Sequence, residues 1–458
     1  MVGLDVTIVN VALPSIGRTF HAPLSGLQWT IDAYTLVLAS FLLMSGSTAD
    51  RLGRRRTFVS GLVIFAAGSL LGSVAHSLSM LIVFRIVQAL GGSMLNPVAM
   101  SIITNTFTDA RERAQAIGVW AAVLGVSMAL GPIVGGLLVS SVGWRSIFWV
   151  NVPVGLLAIV LAVRFIPESR APFPRRVDVA GQFLAIVLLA SLTYGIIEVP
   201  HSGWTSPKIL GSLAVSLLAL VSFAAWERRA REPLVDLRFF RSIPFLSATL
   251  IAIGAFAALG GFLFLNTIYL QDTLGFSPLH AGVYTLPMAT MTMLLPPLSG
   301  RILGRHGGRI PLAVGGAALA ASGLMLVNLS ATTSTTWLFG AYVLFGVGFG
   351  VVNPPITHTA VSGMPRAQAG VAAGIASTSR QVGATVGVAV VGSLAASSLH
   401  HARDASFASA THPGWWVLVG CGATILAVGL LATSARAKES ARATAVLINP
   451  EFLEGAVS

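Results

Sequence analysis

Four ionisable residues stand inside segments that are otherwise apolar: Asp5, Asp32, Arg85 and Arg380. Asp5 lies in Leu4-Asp-Val-Thr-Ile-Val-Asn-Val-Ala-Leu-Pro14, Asp32 in Trp29-Thr-Ile-Asp-Ala-Tyr34, and Arg85 in Phe84-Arg-Ile-Val-Gln88. Charges at membrane depth are costly, so they face a bundle interior or a wet cavity and mark ion or proton paths. A buried acid whose solvation, or whose distance from an arginine, changes with conformation binds a proton in one state and releases it in another. The three first-half residues are therefore candidates for proton exchange. The same residues also fit a static ion pair holding their helices together, and Arg380 fits helix packing as well as a substrate or gate role.

A second constellation is the loop Gly46-Ser-Thr-Ala-Asp-Arg-Leu-Gly-Arg-Arg-Arg56. Its glycines, Gly46 and Gly53, permit a tight reversal, and Asp50 can pair with Arg54 or cap a neighbouring helix. Arg51 and Arg55 complete the cluster, with Asp109 and Glu112 in the next loop as reachable partners. Such a cluster holds one conformation closed and opens when its pairing is exchanged. A third feature is Gly125-Val-Ser-Met-Ala-Leu-Gly-Pro-Ile-Val-Gly-Gly136. Gly131 and Gly135 give a small-residue face for close helix contact, and Pro132 removes a backbone donor where a bend is expected; Gly136 extends the motif.

The elements that position these residues follow from composition. The chain of 458 residues is 55% hydrophobic and 10% charged, with a mean hydropathy of +0.82, too few charges to cover a soluble globule of that length. Apolar stretches of about 20 residues, the length of a membrane-crossing helix, recur from end to end and are too long for barrel strands. Spans are expected near 1–16, 28–48, 57–75, 78–98, 114–139, 144–166, 178–199, 207–226, 244–270, 280–300, 310–328, 335–358, 369–396 and 413–434. With both ends inside, 22 of the 28 Lys and Arg fall in cytoplasmic loops or the tail, and only Arg18, Arg145, Lys208 and Arg403 fall outside. This all-α integral membrane arrangement of fourteen transmembrane helices, both ends cytoplasmic, explains the net charge of +12 without a nucleic-acid partner.

The loop at 46–56 has a degraded copy at 300–310: Ser45 matches Ser299, Arg51 matches Arg305, Gly53 matches Gly307 and Arg55 matches Arg309, while Asp50 faces Gly304. Arg113-Ala-Gln-Ala116 recurs at 366–369, Asn96-Pro97 as Asn353-Pro354, and Gly91 as Gly348. The expected organisation is a six-helix bundle over 1–166, linkers and two inserted helices over 167–243, a second six-helix bundle over 244–434 and a cytoplasmic tail over 435–458 expected to be poorly ordered. Parallel repeats of this kind place a transport path at their interface. Only about sixteen apolar residues precede Arg18, so the native chain is expected to begin earlier; no cleavable signal pattern is present.

The chain resembles the major facilitator superfamily, specifically the fourteen-helix drug:proton antiporters of the EmrB/QacA type. Gly46 to Arg56 is similar to the superfamily loop between helices 2 and 3, Arg85, Gln88 and Gly91 to its helix 4 proton motif, and Gly131 to Gly136 to its helix 5 antiporter motif. Leu4 to Pro14 and Trp144-Arg-Ser-Ile-Phe-Trp-Val-Asn-Val-Pro-Val-Gly155 resemble signatures of the fourteen-helix branch. The resemblance implies the major facilitator fold as six, two and six helices, proton-coupling acids at Asp5 and Asp32, and Arg85 as the residue that modulates them. It also implies export across a bacterial cytoplasmic membrane in exchange for protons. Some dication exporters of the family carry an acid in the tenth span, whereas Leu279 to Pro297 has none, so the expected cargo is a lipophilic neutral or monocationic compound. Candidate cavity residues are Trp29, Tyr34, Gln88, Trp120, Asn151, Tyr284 and Arg380, with Trp149, Tyr269, Trp337 and Tyr342 as further aromatics.

Other functions fit less well. An ATP-driven pump needs a phosphate loop ending in Gly-Lys, and the two lysines, Lys208 and Lys438, follow Pro207 and Ala437. The nine histidines are scattered, Cys421 is the single cysteine, and no metal site or cofactor is expected; the proton gradient supplies the drive. A dedicated exporter of one metabolite, such as a self-made antibiotic, siderophore or amino acid, and a non-transporting membrane sensor or channel remain as alternatives. An accessory periplasmic protein is a further candidate partner.

Overall fold

The computed structural model describes residues 1–171, 177–362, 364, 368–401 and 407–448. Arg175 and Arg176, Arg366 and Ala367 of the second Arg-Ala-Gln-Ala copy, and the tail beyond Ile448 lie outside the described residues. The helices are α1 (Val2–Phe20), α2 (Leu24–Leu52), α3 (Arg54–Ser73), α4 (Leu78–Thr106), α5 (Ala110–Ser141), α6 (Ser146–Trp149), α7 (Asn151–Phe165), α8 (Val179–Ser202) and α9 (Pro207–Glu227). The second part contains α10 (Ile243–Ile268), α11 (Pro278–Tyr284), α12 (Leu286–His306), α13 (Arg309–Leu326), α14 (Thr335–Val361), α15 (Ala369–His401), α16 (Phe407–Ala410), α17 (His412–Ala432) and α18 (Ala435–Ile448).

Twelve of the described segments are long and apolar enough to cross a membrane. They carry their backbone hydrogen bonds internally, which the hydrocarbon interior demands. α1 and α12 are the two long helices that stand apart: Asp5, Asn10 and Arg18 dilute the first, and Arg301, Arg305 and two internal prolines the second. Lipid-facing residues such as Leu157, Val160, Leu217, Leu218 and Val221 remain exposed on α7 and α9. Side-chain caps set several helix starts, with Ser77, Asp109, Asp178, Ser277 and Ser334 each accepting a backbone N–H of the first turn.

The repeat read from the sequence reappears as packing. Gly91 of α4 lies against the backbone of Gly61 and Phe65 on α3; Gly348 of α14 lies against Gly315 and Leu319 on α13. A Cβ at Gly91 would sit 2.6 Å from the Gly61 carbonyl, and one at Gly348 would sit 2.9 Å from the Gly315 carbonyl. Ser45 hydrogen-bonds Ser93 at 3.1 Å, while Ser299 donates to the Val351 carbonyl at 2.7 Å, so equivalent serines tie equivalent helix pairs.

The two parts meet along two seams. In one, α2 runs against α15: Gln28 Nε2 donates to the Val388 and Ala389 carbonyls at 3.2 and 2.9 Å, and Thr385 Oγ1 donates to Thr35 Oγ1 at 2.8 Å. In the other, the C-terminal half of α5 meets α11 and α12: Leu279 N–H donates to Ser140 Oγ at 3.1 Å, and a Cβ at Gly136 would lie 2.6 Å from the Pro278 carbonyl. Gln271, in a π-helical turn after α10, adds a bond from its Nε2 to the Val11 carbonyl at 2.8 Å. α8 and α9 form a hairpin outside these seams, and α8 packs on both α2 and α15.

The tail differs from expectation. Residues 435–448 form α18, with Ala437, Ala441, Thr444 and Ala445 buried at helical spacing, and Ser440 Oγ accepts the Ile243 N–H at 3.0 Å. Small residues every three or four positions let the helix lie close against the start of α10, which polarity and alanine content alone did not reveal.

Candidate functional site

Asp5 is fully buried on α1 and fully partnered. Arg85 Nη1 of α4 donates to its Oδ2 at 2.5 Å, and Gln88 Nε2, one turn further along α4, donates to its Oδ1 at 2.8 Å. Asn151 Nδ2, from the start of α7, donates to the same oxygen at 3.2 Å. Arg85 Nη1 also reaches Gln88 Oε1 at 2.8 Å, its Nε donates to the Thr30 carbonyl at 3.3 Å, and its guanidinium carbon lies 4.0 Å above the Tyr34 ring. Ser69 of α3 closes the ring, accepting from Gln88 and Asn151 and donating to the Phe148 carbonyl. This is a satisfied buried ion pair whose network joins six helices, the arrangement in which buried charge persists. Gln88, Asn151 and Tyr34, grouped from sequence as cavity residues, are gathered here around Asp5; Ser69 was missed, because a serine in an apolar helix carries no signal of its own.

Asp32 is different. It is fully buried on α2, between Gln28 and Thr35, which share its helix face and contact α15, and neither carboxylate oxygen has a hydrogen-bond partner. No ion pair among the described residues involves it. An ionised carboxylate left without partners in a buried setting is expensive, so the two acids have distinct surroundings, one held by arginine and the other at the seam.

The loop at 46–56 folds as the end of α2, a turn at Gly53 and the start of α3. Asp50 pairs with Arg54, Nη2 to Oδ1 at 2.9 Å. Gly53 has φ 115°, a conformation suited to glycine, and a Cβ there would lie 2.6 Å from Glu168. Glu168 caps α3: it accepts the N–H groups of Arg55 and Arg56 at 3.1 and 3.2 Å, while Arg54 N–H donates to the Ser169 carbonyl. Arg55 Nη1 reaches the Ile166 carbonyl. Arg51 is exposed, and Gly46 has open space where a Cβ would stand. Asp109 instead caps its own helix, accepting from Arg111 and Glu112. The acid that locks this turn thus comes from the segment after α7, where a Pro- and Arg-rich context resembles a solvated linker.

On α5, Gly131 lies against Thr7 and Gly135 against Ile8, where a Cβ would be 2.7 Å from Ile8 Cγ1; Pro132 turns its carbonyl to Gly282. The motif therefore seats α5 on α1 and on α11 together, while Gly125, further back, has open space. Between the two parts lies an apolar cavity lined by Thr7, Met128, Pro132, Leu259, Met288 and Phe349, among others. Of the aromatic candidates, Trp29 rests against Tyr194 of α8, with ring centroids 6.4 Å apart, and Tyr284 packs with Phe276, His280 and Phe339. Trp149 and Trp337 are exposed, Tyr269 donates to the Ser330 carbonyl, Tyr342 donates to Asn266, and Trp120 is half-buried on α5. Arg380 of α15 donates to Thr357 Oγ1 at 2.6 Å and to Ser377 Oγ at 3.3 Å, and its guanidinium carbon lies 5.9 Å from the Phe256 ring.

Comparison with known proteins places this architecture. The Major Facilitator Superfamily family model matches residues 1–388. The chain is 37% identical over 399 residues to the multidrug resistance protein Stp of Mycobacterium tuberculosis, covering 87% of this chain and 74% of that protein. It is 39% identical over 417 residues to the tetracenomycin C resistance and export protein of Streptomyces glaucescens, covering 90% and 77%. It is 33% identical over 394 residues to the methylenomycin A resistance protein of Streptomyces coelicolor, covering 86% and 82%. Among solved structures, the peptide transporter POT in complex with sulfate shares the fold with a TM-score of 0.68 at 15% identity, over 96% of this chain and 94% of that one.

Proposed function

Because this chain belongs to the Major Facilitator Superfamily, and its matched relatives are named for drug efflux and antibiotic resistance, we propose that it exports lipophilic small molecules across a bacterial cytoplasmic membrane in exchange for protons. The observation that carries the proton step is Asp32: fully buried, unpartnered, and on the α2 face that meets α15. A seam that opens and closes around an acid alternately wets and buries it, and so loads and unloads a proton in step with the conformational change. Asp5, pinned by Arg85, Gln88 and Asn151, connects α1 and α4 to the same movement. The apolar lining between the two parts favours a lipophilic cargo, and the absence of acids between Leu279 and Pro297 disfavours dications. We read α1 and α12 as spans beside the twelve apolar segments, giving six, two and six helices with both ends cytoplasmic. Each proton moving inward then contributes about 2.3 kcal/mol per 100 mV of membrane potential.

The test is uptake of fluorescent lipophilic dyes by everted vesicles from pump-deficient bacteria expressing the full chain. Uptake that is abolished by a protonophore and by Asp32→Asn is the expected result. Protonophore-sensitive uptake that persists in Asp32→Asn would remove Asp32 from the coupling step. A second reading has its own support: two relatives are named for resistance to one antibiotic each. On that reading the cargo is a single metabolite, and a broad dye panel would show transport of none or one.

A further inference from the structure

Among the described residues, helices α10 to α17 carry no acidic side chain. Between residues 244 and 434 the acids are Asp272 and Asp404 alone. Asp272 lies 4.0 Å from Arg18 in the turn after α10, and Asp404 lies outside the described residues. Arg380 makes no ion pair among the described residues. Its neighbours are two hydroxyls, Thr357 and Ser377, and the Phe256 ring, and its Nε is buried without a partner. A guanidinium with an unused donor, held among neutral groups in a helix bundle, is poised for a planar anion.

Aromatic rings connect it to the apolar lining between the two parts. Phe256 packs edge-on against Phe349 at 5.2 Å between centroids, and Phe349 lines the cavity between the two parts. A flat aromatic body on these two phenylalanines would carry an acidic substituent towards Arg380 Nε. We propose that Arg380, with Thr357, Ser377, Phe256 and Phe349, forms an anion-recognising subsite, and that the cargo is an aromatic compound bearing a carboxylate or ionised phenol. This rests on the export reading above and replaces the neutral or monocationic cargo expected from sequence, where the missing acid was visible but the isolation of the cation was not. Arg380 here is a substrate-binding residue, and the charge it meets arrives with the cargo rather than with the protein.

The experiment compares two dyes built on one xanthene body, anionic fluorescein and cationic rhodamine 6G, in everted vesicles with the full-length chain and in binding titrations with the purified protein. The expected result is preference of the wild type for fluorescein in both assays. Arg380→Gln should lower the fluorescein-to-rhodamine transport ratio at least tenfold, and Arg380→Lys should fall between. Transport of rhodamine in preference to fluorescein by the wild type would overturn the subsite while leaving the export reading standing. So would an unchanged ratio in Arg380→Gln. Binding and transport of neither dye by membrane-inserted wild type would overturn the subsite and the export of lipophilic dyes together, leaving the single-metabolite reading. The wild-type preference decides the matter even where a variant does not fold.

Discussion

At the scale of residues, the pair Asp5 and Arg85 and the lone acid Asp32 look alike in a sequence but differ in their surroundings, the first acid partnered and the second not. Removing one member of the pair strands the other as an uncompensated buried charge, worth about 3 to 5 kcal/mol, whereas removing both leaves neutral groups. Asp5→Ala and Arg85→Ala should each depress thermal unfolding of the purified protein strongly, and the double variant should cost less than the sum of the two. Strict additivity in detergent melts would mean that the 2.5 Å contact contributes no coupling. The ionisable members of this site were legible because charge is rare in apolar segments. Gln88 and Asn151 were visible as polar residues, but their partner was not, since helices far apart in the chain can meet at many registers. The cavity lining, Met128, Leu259 and Met288 among it, was illegible, because an apolar side chain in a membrane helix reads the same whether it faces lipid or cargo.

At the scale of elements, the turn between α2 and α3 is held by a carboxylate more than a hundred residues away. Glu168 occupies the N-terminus of α3, where unpaired N–H groups and the helix dipole favour negative charge, and it fills the space beside Gly53. Gly53→Ala meets both a positive φ and the Glu168 carboxylate, and should lose about 1 to 3 kcal/mol. Glu168→Ala keeps the backbone and loses the cap, about 1 kcal/mol. Melting temperatures of the two purified variants check the order; a larger loss in Glu168→Ala would show that the charge, not the turn geometry, dominates. The Asp50 to Arg54 pair was readable from its i, i+4 spacing. The role of Glu168 was not, because a charge in a Pro-rich stretch looks solvated.

At the scale of the whole molecule, the sequence repeat pairs Gly91 with Gly348, and each packs close against the helix before it. Fourteen spans are expected from the sequence, and twelve described segments are long and apolar enough to cross a membrane; α1 and α12 fall outside that set because of their polar residues. What pattern could not show is that the two seams are unequal. α8 lies across α2 and α15 and fastens to α2 at both ends, with Gln182 Nε2 donating to the Ser40 carbonyl at 2.6 Å and His201 paired with Ser25 at 3.1 Å. The opposite seam, α5 against α11 and α12, has no such cover among the described residues, and residues such as Val119 and Val123 on α5 stand exposed. The molecule is thus built like a door with its spine on one edge. Opening it swings the uncovered edge widely while the covered edge turns nearly in place, so spin-label distances across α5 and α12 should change several-fold more between proton-loaded and proton-free states than those across α2 and α15. Lipophilic molecules dissolved in the bilayer would then reach the interior from one flank only, and the extra hairpin would act as the bound side of the book rather than as a spare pair of helices.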